Sequence, residues 1–206
     1  MKAVSHCTNF EFQYTDRNLI LQAFNKLGIK CYDDTVYSYA SLYDKEHHIP
    51  YDERPAVCAE RNGFHYFMKN YGNHYELSME KHNMTSQEAR ISEQMADEFK
   101  KQYVKCAAEE VMHQMRLKGQ SCLMVENSQG FEIKFGALYD KSLLVKLENG
   151  RVVESVHGIK GKSCQSITEA LENMLSSADV ELNTEWTEEY YEPDDSGALK
   201  VYDLGF

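Results

Sequence analysis

The chain has 206 residues, 42% hydrophobic and 27% charged, a composition that suits a soluble globular protein with one generous core or two modest ones. Its 33 acidic and 22 basic side chains leave a formal charge of -11, which repels a phosphate backbone and argues against nucleic acid as a partner. No apolar run approaches the roughly 20 residues of a membrane span. Met1-Lys2-Ala3-Val4 leads into polar residues instead of a signal sequence, so a cytoplasmic protein without membrane contact is expected.

In chain order, His6, Thr8, Phe10, Phe12 and Tyr14 alternate with Glu11 and Gln13, which predicts a strand over residues 4–14 with His6 on its apolar side. Asp16 can cap a helix that carries Leu19, Ile20, Ala23, Phe24 and Leu27, and Gly28 can end it. Further extended pieces are expected at Ile29–Tyr32 and Val36–Tyr43. The run Asp44–Pro55 loses all periodicity and reads as an exposed loop. Asn62-Gly63, between Ala56–Arg61 and Phe64–Lys69, is a strong hairpin signal because both residues tolerate positive φ. A strand over His74–Glu80 follows.

Met84–Lys118 predicts the longest element, a helix with Ile91, Met95, Phe99, Tyr103, Ala107, Val111 and Met115 on one face. Thr85 and Glu88 have capping-box spacing, and Gly119 supplies the stop. At about 1.5 Å per residue such a helix spans roughly 50 Å, so a kink or fraying near one end is expected. Strands over Ser121–Glu126 and Phe131–Phe135 then pair around Asn127–Gly130. The first domain is expected to span 1–139. A second hairpin turns at Asn149-Gly150, Ser163 caps a helix with Ile167, Ala170, Leu171, Met174 and Leu175 inside, and Val180, Leu182, Thr184 and Trp186 form a last strand. This makes a small β-β-α-β domain over 142–192, followed by a tail over 193–206. The expected fold class is α+β, an antiparallel sheet on a short and a long helix with the small unit appended.

Two stretches carry a family resemblance. Ser5-His6-Cys7-Thr8, Leu27-Gly28, Tyr75-Glu76-Leu77, Tyr103 and Gly130-Phe131-Glu132-Ile133 resemble the cyanobacterial and plastid family known as hypothetical chloroplast reading frame thirty-five, over about 1–139. Cys7, where phenylalanine is expected, and the Asp44–Pro55 insertion depart from that pattern. Gly158-Ile159-Lys160-Gly161-Lys162-Ser163-Cys164 and Glu189-Tyr190-Tyr191-Glu192 are similar to a short bacterial domain of unknown function, over about 142–192. The resemblance implies a two-domain fusion associated with an AAA-type ATPase or a ferredoxin-linked system. It implies no catalytic residues.

Several constellations invite chemistry. Gly161-Lys162-Ser163 evokes a phosphate loop, but Val156 stands where the signature needs its first glycine, leaving at most a weak anion site at a helix start. Glu110 and His113 have the spacing of one half of a two-metal site, without a second such motif. His47-His48 lies among carboxylates in the loop. His6 and Cys7 are adjacent, but neighbours on a strand point to opposite faces. The six cysteines, Cys7, Cys31, Cys58, Cys106, Cys122 and Cys164, form no Cys-x-x-Cys pair, which argues against zinc, iron–sulfur and disulfide frameworks and for reduced core thiols. No metal or cofactor is expected.

The reading is an accessory or adaptor protein that binds a larger protein partner through Trp186, Glu188, Glu189, Tyr190 and Tyr191. The alternative is an enzyme or metal-binding protein with a site around His6, His113 or His47-His48.

Overall fold

A computed structural model describes residues 4–32, 56–79, 84–127 and 130–193. The expected strand Val36–Tyr43, the loop with His47-His48 and most of the tail lie outside the described residues. The fold is α+β, with two antiparallel sheets and three α-helices among the described residues. Chain contacts divide it into two units, Gln13–Val104 and a second made of Met1–Phe12 with Lys105–Phe206.

In the unit Gln13–Val104, helix α1 (Arg17–Lys26) starts where the Asp16 carboxylate accepts hydrogen bonds from the amides of Asn18 and Leu19. It ends at Gly28, which has φ 67°, as Ile29 N–H donates back to Phe24 O at 2.9 Å. Strands β2 (Lys30–Tyr32), β3 (Val57–Arg61), β4 (Phe64–Asn70) and β5 (Tyr75–Met79) form a sheet in that order. The β3–β4 turn is the expected Asn62-Gly63, with φ of 55° and 81°. The core holds Phe99 stacked on Phe24 at 3.9 Å between ring centroids, with Tyr14 at 5.3 Å from Phe99. The Tyr103 hydroxyl accepts from the amides of Thr15 and Asp16 at 3.0 and 2.9 Å, so one core side chain satisfies two backbone donors ahead of α1.

Helix α2 (Ser86–Leu117) runs unbroken, and its residues up to Val104 belong to this unit while those from Lys105 belong to the other. Buried residues recur along it from Ser92 and Met95 to Met112 and Met115. Its start is the expected capping box: Glu88 N–H donates to Thr85 Oγ1 at 3.3 Å and Thr85 N–H donates to Glu88 Oε2 at 2.7 Å. One stripe residue differs from expectation. Ile91 is exposed and Ser92, its neighbour, is buried, so the inward face begins one residue later than the apolar pattern reads.

The other unit is built on a six-stranded sheet of β1 (Val4–Glu11), β6 (Cys122–Asn127), β7 (Gly130–Phe135), β8 (Lys141–Glu148), β9 (Arg151–His157) and β10 (Asn183–Trp186). The spatial order is β10-β1-β9-β8-β7-β6. Here the arrangement differs from a unit appended after residue 139. Strand β7 pairs with β8 across that boundary, and β1 lies between β9 and β10, which never pair with each other. The physical reason is that β9 and β10 each need a hydrogen-bonding neighbour and β1 satisfies both.

Opposed residues in an antiparallel sheet share a face. One row reads Trp186, His6, Val156, Leu143, Ile133 and Met124, and the next Thr184, Thr8, Glu154, Val145 and Phe131. Helix α3 (Gln165–Leu175) buries Ile167, Thr168, Ala170, Leu171, Met174 and Leu175. It follows a 3-10 turn, Gly161–Cys164. The position before α3 is not the expected Ser163, whose backbone lies inside that turn: Cys164, with helical φ -67° and ψ -32°, directly precedes the helix and makes no side-chain capping bond of its own.

Candidate functional site

The motif residues His6, Cys164 and Trp186, far apart in the chain, meet at the β10 end of the six-stranded sheet. Register sets His6 opposite Trp186 on one side and Val156 on the other. Both His6 and Cys164 are fully buried. His6 Nδ1 lies 3.2 Å from Cys164 Sγ, and His6 Nε2 lies 3.3 Å from Thr168 Oγ1. The Thr168 hydroxyl donates to Gln165 O at 3.1 Å, so its oxygen is left to accept from Nε2–H. That assignment puts the imidazole lone pair on Nδ1, facing the thiol. Cys164 Sγ also reaches Gly161 O at 3.2 Å, a second acceptor for its one proton. Burial lowers the His6 pKa from 6.5 to about 4, so the ring is neutral at neutral pH.

A cap closes over this pair. The Trp186 ring centroid lies 5.2 Å from that of His6, and Tyr190 packs on Trp186 at 4.0 Å. Tyr190 belongs to a short 3-10 turn, Glu188–Tyr191, that packs on β1 and on the Gly161–Cys164 turn. Its entry is pinned to the first strand: Thr187 Oγ1 donates to Val4 O or Ser5 O, at 2.5 and 2.8 Å, and Thr187 N–H donates to Ser5 O at 3.2 Å. Its exit is held by Lys160 Nζ, 2.5 Å from Glu192 Oε2. Ser5 is buried and its hydroxyl donates to Ile159 O.

Beyond His6 the polar seam continues under α3. Cys164, Thr168 and Glu172 recur every fourth residue, which places them along one side of the helix. Glu154 on β9 is fully buried, and neither of its carboxyl oxygens makes a hydrogen bond among the described residues. Burial first and the Glu172 carboxylate second raise its pKa well above the usual carboxylate range. Glu172 is itself raised by burial, while Glu154 and Thr168 act in the opposite direction.

The other expected site residues separate. Tyr191 is 75% exposed and Trp186 38% exposed. Glu188 is exposed and Glu189 half-buried, so the expected partner-binding set splits into a cap, Trp186 with Tyr190, and an outward edge, Tyr191 with Glu188. Gly161 has φ 71°, and the side chains of Lys162 and Ser163 lie outside the described residues. His113 is exposed, and Glu110 Oε1 accepts from Gln114 Nε2 at 2.7 Å. Among the described residues no three metal-ligating side chains cluster. Cys7 points to the opposite face from His6 and pairs in register with Glu185 and Ser155; burial and then Glu185 raise its pKa. Cys164 is the partner that adjacency in sequence did not offer. The legible signal was the four-residue spacing of Cys164, Thr168 and Glu172 at the start and along one side of the helix.

Among the described residues no helix is long and apolar enough to cross a membrane. Residues 147–191 match the model of a family described as a protein of unknown function, DUF2997. The match supports a domain of unknown function over the second resemblance and does not bear on the first, over 1–139. No curated protein and no solved structure matches the chain.

Proposed function

We propose that the chain is a non-catalytic accessory protein that offers the Tyr191 edge of the cap to a basic surface on a larger protein. The observation that carries this reading is Tyr191 itself: a large ring, 75% exposed, in a turn whose entry and exit are both tied down. A ring already held in place loses little freedom on binding, and aromatic anchors of this kind dominate interface energies. Glu188, in the same turn, is an exposed carboxylate, which favours a positively charged partner and faster encounter at low salt. An AAA-type ATPase or a ferredoxin-linked assembly is the partner class that the family resemblance implies.

The test compares affinity capture from native cells by the full chain, by Tyr191→Ala and by Glu188→Lys. The expected result is a partner recovered by the parent chain, reduced by either substitution and weakened by added salt. Equal recovery by all three proteins would overturn the reading.

A further inference from the structure

Outside the exposed edge, the best-built chemistry is the pair Cys164 and His6 beneath the cap. Two features of the geometry converge on the sulfur. The bare nitrogen of a neutral imidazole faces it at 3.2 Å, with the tautomer set by Thr168. Cys164 therefore has a base placed to take its proton. Second, the cover is one short turn, Glu188–Tyr191, with the rings of Tyr190 and of Trp186, the last residue of the edge strand β10.

We propose that Cys164 is a capped thiol that undergoes reversible exchange with low-molecular-weight disulfides, with His6 as its base. When the cap lifts, His6 Nδ1 takes the thiol proton and the Cys164 thiolate attacks one sulfur of the disulfide. The Cys164–sulfur bond forms as the disulfide S–S bond breaks, and the leaving thiolate takes the proton back from the imidazolium. The products are a mixed disulfide on Cys164 and one free small thiol, with no net oxidation. The other cysteines have different surroundings: burial raises the pKa of Cys31 and of Cys58 to about 11 each, and Cys106 is buried.

The test uses the full chain and oxidised glutathione under native conditions, with the rate of adduct formation at each cysteine followed by peptide mass mapping. Buried Cys106, in the same unit, is the internal standard for opening of the fold. Cys164 is expected to react about tenfold faster than Cys106, or more, and His6→Gln to erase that advantage while leaving Cys106 unchanged. Trp186→Ala, which thins the cap, is expected to speed Cys164 severalfold. If His6→Gln also accelerates Cys106, the fold has loosened and Trp186→Ala decides: acceleration at Cys164 alone supports the proposal, and no change or equal acceleration at both overturns it. Reaction of Cys164 in the parent chain no faster than Cys106 would overturn it outright.

Discussion

Phe99→Ala tests whether the unit Gln13–Val104 is organised around the first part of α2. Phe99 is 1% exposed, stacks on Phe24 at 3.9 Å with 16° between planes, and faces Tyr14 at 5.3 Å. Truncation removes a buried aromatic and the aromatic contacts together, within the range of about 3–5 kcal/mol for emptying such a site. The loss should fall in the upper half of that range, because the neighbours cannot collapse inward. Tyr14 is held by its backbone, whose carbonyl accepts from Tyr75 N–H at 2.7 Å, and Phe24 lies on a capped helix. Urea unfolding gives the total, and hydrogen exchange of the β3 and β4 amides locates it. A loss under about 1 kcal/mol, the size of a surface substitution, would refute the argument. So would loss of protection confined to β8 and β9.

Glu154→Gln should stabilise the protein increasingly as pH rises above 4.5, the ordinary value for this carboxyl. A folded pKa raised above the unfolded value gives stability that is fully present below the unfolded pKa and is lost as pH rises through the folded one. His6 acts oppositely: its contribution is lost as pH falls from 6.5 toward about 4, so the slope read above 6.5 does not contain it. An unchanged pH slope of the urea midpoint in the Gln variant would show that Glu154 is ionised in the fold. A fragment of residues 142–206 should be largely unfolded, since β10 loses its neighbour β1 and β8 loses β7. Dispersed amide spectra from that fragment would refute this.

What the sequence by itself determined was local. The caps at Asp16 and Thr85, the stops at Gly28 and Gly119, and the turns at Asn62-Gly63 and Asn149-Gly150 all join residues within a few positions of one another. Their chemistry is written in adjacent letters, as φ of 51° and 77° at Asn149 and Gly150 illustrates. The long helix was legible for the same reason, through a period that a single stripe satisfies. Strand order was not. That β1 enters between β9 and β10 depends on which backbone donors and acceptors find partners across the whole chain, and backbone hydrogen bonds carry no residue signature. The candidate site belongs to this second kind. His6 and Cys164 are 158 positions apart, and only the register that sets His6 against Val156 and Trp186, with α3 packed above, brings a nitrogen to a sulfur. Sequence adjacency offered Cys7 instead, which the pleat turns to the opposite face.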